Sequence, residues 1–182
     1  MKRARVSILS LLLLSACVSI PQRAAVEWPD RLQYIEASGD LSMSWRKVNF
    51  SGTVSLQMDY PSLIVLEIYG MFGQTIAYVK KERENFLFVA GDERSTDERA
   101  FEERYGLRVE DFMDDLAMKG NKRQTDGSIV IERSNYRVIY NQDRKGRRKM
   151  TWDGPDGTMQ LLFTQVSFTQ GEPNVKDSGG KM

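Results

Sequence analysis

Few side chains in this sequence are placed to do covalent chemistry, and their types narrow what that chemistry could be. No histidine occurs among the 182 residues, which removes the commonest general base and the commonest metal ligand together. Serines are plentiful, but without a histidine or a Gly-x-Ser-x-Gly elbow they lack the activation that hydrolases rely on. No glycine-rich phosphate loop is present. Two acidic pairs, Glu102-Glu103 and Asp114-Asp115, supply adjacent carboxylates. Neighbours on a helix point in different directions, so neither pair makes the facing couple that acid–base catalysis needs. Asp114 and Asp115 are expected on the wet side of their helix. The expectation is a protein that is not an enzyme and uses no cofactor and no metal. One residue keeps a chemical context of its own: Cys17, the single cysteine.

Cys17 closes the opening stretch MKRARVSILSLLLLSAC. Lys2, Arg3 and Arg5 form a positive start, and residues 6–14 an apolar run about half the length of a membrane span. That combination reads as a signal peptide over residues 1–16 rather than an anchor helix. Leu14-Ser15-Ala16-Cys17 resembles the lipobox of bacterial lipoproteins. The resemblance implies cleavage before Cys17, with acyl chains added to its sulfur and new amino terminus. Each buried methylene contributes ~0.8 kcal/mol, so several chains hold a protein on a membrane almost permanently. Val18 and Ser19 follow, not the Asp of inner-membrane retention, so the implied address is the periplasmic face of the outer membrane. Loss of residues 1–16 removes three basic residues and takes the formal charge from +1 to −2. A near-neutral domain offers no concentrated basic face, so no nucleic-acid partner is expected. With Cys17 acylated, no thiol is left for a disulfide.

The rest of the chain must build the scaffold. Between Ala37 and Arg46, Leu41, Met43 and Trp45 alternate with Asp40, Ser42 and Ser44; between Val48 and Tyr60, Phe50, Val54, Leu56 and Met58 alternate with polar residues. Strict period-two alternation means strands with one dry and one wet face. Residues 63–69, 75–81 and 84–90 read as three further strands, and 128–133, 136–141, 147–153 and 158–169 as four more. A short helix is expected at 29–34, a second at 96–105 and a third at 109–118. In the last, Val109, Phe112, Met113, Leu116 and Ala117 share one face. Residues 17–28 form the acylated cysteine and tether, 29–170 one domain, and 171–182 a polar tail with the composition of disorder. About nine antiparallel strands with one apolar face and only short helices to cover it must curl. The expected fold is therefore mainly β (α+β): a single curled antiparallel sheet forming a half-open barrel with short helices as a lid.

This plan, together with FSGTVSLQMDYPSLIVLEIYGMFGQTIAYVK at residues 50–80, resembles the LolA/LolB family of lipoprotein carriers and receptors, and LolB-type outer-membrane lipoproteins above all. The similarity spans residues 37–168. It implies that the barrel encloses an apolar groove for the acyl chains of lipoproteins in transit, received from a periplasmic LolA-like carrier. It also implies that an apolar residue on an early inter-strand loop helps release them into the membrane. Met71 and Phe72, set between Gly70 and Gly73, occupy the matching loop.

The groove candidates are Leu41, Met43, Trp45, Phe50, Val54, Leu56 and Met58, with Phe112, Met113 and Leu116 from the lid helix. The same residues would serve equally as ordinary core, and sequence does not separate the two uses. The run Arg144–Lys149 (RKGRRK) reads as a solvated hairpin turn, with contact to anionic headgroups as the second reading. Two functions remain open: a LolB-like receptor that inserts lipoproteins, or an accessory envelope lipoprotein of the same fold that binds a protein partner. Nothing in the sequence demands more than a monomer.

Overall fold

The computed structural model describes residues 28–29, 32–46 and 48–170. Eleven strands form one antiparallel sheet, in the order β6-β5-β4-β3-β2-β1-β11-β10-β9-β8-β7. The sheet is not closed; β6 and β7 are its edges. Its two halves are meanders, β1 to β6 and β7 to β11, joined where β11 pairs with β1.

The longest elements are β1 (Leu32–Trp45), β2 (Val48–Asp59) and β11 (Gly157–Gln170). Their length follows from sustained alternation: Ile35, Ala37, Gly39, Leu41 and Trp45 of β1 are buried while the residues alternating with them are more exposed. At Gly39 the sheet closes in, for a Cβ there would stand 2.5 Å from the Leu162 carbonyl oxygen. The β1–β11 register slips at this same point, as a bulge does.

Strands β3 (Leu63–Tyr69), β4 (Thr75–Glu82), β5 (Asn85–Ala90), β8 (Ser128–Glu132), β9 (Arg137–Gln142) and β10 (Arg148–Gly154) fall where expected to within one or two residues at most ends. Two strands escape the alternation rule: β6 (Glu93–Ser95) and β7 (Lys122–Thr125). Each is short and polar, with backbone pairing to one neighbour alone, which is how sheets blunt their edges. The count is eleven strands, not about nine. The helix expected at 29–34 is corrected as well, since residues 32–34 already pair in β1. Register with β11 and β2 outweighs the helix-start signal of Pro29.

Helix α1 (Glu98–Tyr105) begins at Asp97, whose carboxylate accepts from the Arg99 and Ala100 amides, and ends at Gly106 with φ 67°. Helix α2 (Val109–Leu116) buries Val109, Met113 and Leu116. One core runs from Leu32 and Ile35 at the start of β1 through Leu56, Met58 and Ile64 to Trp152 and Leu161. Among the described residues, no helix is long and apolar enough to cross a membrane.

Candidate functional site

Cross-strand register lays apolar side chains in rows over the covered face of β2–β5. Val54 pairs with Ile68, Ile68 with Ala77, and Ala77 with Ala90; beside them run Leu66, Val79 and Phe88. Ala77 and Ala90 are small, and the two helices do not reach down to fill the room they leave. A cavity of about 310 Å³ results, walled by these rows, by the inner residues of β1, β10 and β11, and by α1, α2 and their connection. Its lining is almost wholly apolar; Asn49 and Arg108, both exposed, are the polar members. It is open on one side, where Val48 lines it while remaining 37% exposed.

Three polar clasps hold the helices over this cavity. Lys81 of β4, only 8% exposed, bridges Glu98 at the start of α1 and Glu110 in the first turn of α2. Arg46, in the β1–β2 turn, donates from Nη1 to the carbonyls of Glu103 and Arg104 at 2.8 and 2.9 Å, and bonds Asp156. The Trp45 indole N–H belongs to this second clasp, donating to the Tyr105 carbonyl at 2.8 Å. The last carbonyls of α1, which have no partner within the helix, are thus satisfied by the sheet.

The third clasp is centred on Asp115, which is fully buried. Its Oδ1 accepts from Arg133 Nε and Nη2 at 2.8 and 2.6 Å, and its Oδ2 from Tyr136 Oη and Trp152 Nε1 at 3.0 and 2.9 Å. Tyr140 donates to the Asp115 carbonyl at 2.7 Å. Burial pushes the Asp115 carboxyl up to about 6 against the pull of Arg133. The same burial, with the nearby carboxylate, raises the Tyr136 phenol. This corrects the expectation that Asp114 and Asp115 share a wet face. Asp114 accepts from the Tyr60 hydroxyl at 2.8 Å, while Asp115 points into the sheet. The two carboxylates diverge, and each is engaged in fastening α2. Among the described residues, no three acidic or thiol side chains gather as a metal site would require.

The YGMFGQT stretch forms the β3–β4 tip. It is closed by the Gly70 amide donating to the Gln74 carbonyl at 2.9 Å and the Gly73 amide to the Gly70 carbonyl at 3.0 Å. Gly73 takes φ 76°, a conformation that L side chains avoid. Met71 and Phe72 stand 87% and 89% exposed. They do not fold back onto the core.

Of the ten groove candidates, Leu41, Met43, Trp45, Phe50, Val54 and Phe112 line the cavity. Leu56, Met58, Met113 and Leu116 do not; they are almost completely buried in the packed core beyond it. Alternation assigns a side chain to a face but not to a position along that face, and the cavity occupies only part of it. Sequence reasoning missed the β3 and β4 contribution, above all Leu66, Ile68, Ala77 and Val79. In LIVLEIY both parities are apolar, so the inward set shows only through pairing with Val54 and Leu56. The lid residues Leu107 and Arg108, and the clasps at Lys81 and Asp115, carry no local signal at all. Cys17 lies outside the described residues. In the basic run, Arg144 and Lys145 are exposed as expected, but Arg148 turns inward over the rings of Trp28 and Phe168 at 5.4 and 4.7 Å. No protein-family model matches the chain, and no curated protein is similar enough to count as a relative.

Proposed function

We propose that this protein is a lipid-anchored outer-membrane lipoprotein whose open sheet is a half-barrel of the LolA/LolB kind, and that it carries acyl chains. In this reading it takes one acyl chain or more of another lipoprotein into the cavity and helps insert that lipoprotein into the membrane. The observation that carries the reading is a nearly wholly apolar cavity with an open side, in a fold that leaves Met71 and Phe72 in water. Ordinary cores close over such space, since lost packing costs roughly 20 cal/mol per Å² of cavity surface. An interior left open is explained when a ligand completes it. No buried charge is aimed into the cavity, so recognition is by apolar burial and shape, as suits a chain that must be both accepted and released.

Met71 and Phe72 complete the reading. Each would gain roughly 1.5–3 kcal/mol on leaving water for lipid, so the tip can hold the molecule against a bilayer during transfer. Acyl chains, a membrane and a LolA-like donor are the proposed partners, with Cys17 as the anchor.

The test is titration of the protein with a fluorescent fatty-acyl probe, followed by mixing with vesicles. Wild type should bind saturably and hand the probe over. Ala77→Phe, which fills the cavity from β4, should stay folded and lose binding at least tenfold. Phe72→Glu should bind normally and transfer slowly. If the folded wild type binds no probe, carriage fails as an explanation and an accessory envelope protein with a protein partner takes its place.

A further inference from the structure

Every neighbouring pair of strands is antiparallel, so each turn belongs to one of two ends of the sheet. The tip with Met71 and Phe72 shares its end with the β1–β2 turn and with Val48 and Asn49 on the open side of the cavity. The β9–β10 hairpin with Arg144 and Lys145 lies at the opposite end, where β1 begins. Trp28, just ahead of β1, packs against Phe168 at 5.1 Å and lies under Arg148, the first residue of β10. The chain therefore enters the fold in contact with the base of that hairpin.

The two ends differ in chemistry. Arg147 is held by Asp143 at 2.8 Å, and Arg148 is turned inward. Arg144, Lys145 and Lys149 form no ion pair with another described residue, and the first two are exposed. The adjoining β7–β8 turn adds one acid, Asp126. On the other side, residues 32–34 and 168–169 carry no charge. The tip of the β9–β10 hairpin is thus cationic, at an end whose β2–β3 and β4–β5 turns also carry Asp59, Glu82, Arg83 and Glu84, while the opposite end presents an apolar tip.

We infer that the β9–β10 hairpin tip is a docking surface for an anionic bilayer, which holds the cavity opening and the Met71–Phe72 tip away from the membrane bearing the anchor until cargo arrives. The inference rests on the lipid-anchored carrier reading above. Charge complementarity selects the surface, and the place of chain entry brings it to the membrane. Trp28 lies eleven positions beyond Cys17, a reach of at most about 40 Å. At such a tether length even weak headgroup contacts act at high effective concentration. Strand β1, at fourteen residues, is about 46 Å long. The tether is comparable, so the molecule can turn over to bring its tip to the bilayer for delivery.

The acylated full-length protein, reconstituted into vesicles, tests this with a fluorophore on Gln142→Cys at the basic end or Thr75→Cys at the tip end. Headgroup-linked quencher lipids report which label lies near the surface. In vesicles containing phosphatidylglycerol the label at 142 should be quenched severalfold more than that at 75. The difference should collapse in phosphatidylcholine, in high salt, or when Arg144→Gln and Lys145→Gln are added. Equal quenching, stronger quenching at 75, or a difference indifferent to charge overturns the docking surface. Acyl-probe titration of the same proteins is read separately. Probe binding with the wrong orientation sinks this inference alone, and no binding with the expected orientation sinks only the carrier reading.

Discussion

At the scale of single residues, exposure and burial assign opposite roles to two groups of side chains. Phe72 touches little of its own protein, so Phe72→Glu should change the unfolding free energy by less than about 0.5 kcal/mol while impairing transfer to vesicles. Asp115 is the reverse case. It gathers Arg133 and Tyr136 from the β8–β9 turn and Trp152 from β10, and Asp115→Asn leaves Arg133 without its counter-charge. A loss of about 3 kcal/mol is expected in equilibrium unfolding. Asp115 also has a pH signature. Its folded carboxyl sits near 6 against an ordinary 3.8, so the folded state holds the proton more tightly than the unfolded state. Its contribution is fully present below about 3.8 and is lost as pH rises through 6. Unfolding measured from pH 4 to 7 should show the wild type losing stability across that window relative to Asp115→Asn, with no further divergence above it.

At the scale of elements, the lid helices differ in how they are held. Helix α2 buries an apolar face, whereas α1 buries no residue fully and rests Phe101 and Tyr105 on Phe88. For α1 the Arg46 and Lys81 clasps therefore matter more than packing. Arg46→Ala removes donors from two helix-terminal carbonyls and should cost only about 1 kcal/mol globally, because the site is half-exposed. Its larger effect is local: amide exchange in α1 and at Gly106 should accelerate well before that of β1 or β2. Uniform acceleration across the sheet would show that α1 is no separate unit.

At the scale of the whole molecule, cavity, tip and clasps form one arrangement: a sheet whose covered face is filled in one region and left open in another. Ligand binding should then report as stability. Acyl probe at a hundredfold excess over its dissociation constant should add ~2.7 kcal/mol to unfolding, visible as a raised melting temperature in wild type and absent in Ala77→Phe. A rise of equal size in both would place the probe elsewhere on the surface.

The sequence by itself determined the strand-rich plan, the two lid helices and the unusual composition of the β3–β4 tip. Each of these is a local property: period-two burial, a capped amphipathic face, glycines on either side of Met71 and Phe72. It missed β6 and β7 because an edge strand is specified by its partner's hydrogen bonds rather than by alternation. It missed the cavity because free volume belongs to the space between elements. Whether Leu56 is core and Val54 is wall depends on how far Phe101 and Phe112 reach across the sheet, which no stretch of chain encodes alone. The clasp at Asp115 and the separation of the apolar tip from the basic hairpin were likewise decided only in three dimensions. Both depend on which strand ends the antiparallel register brings together.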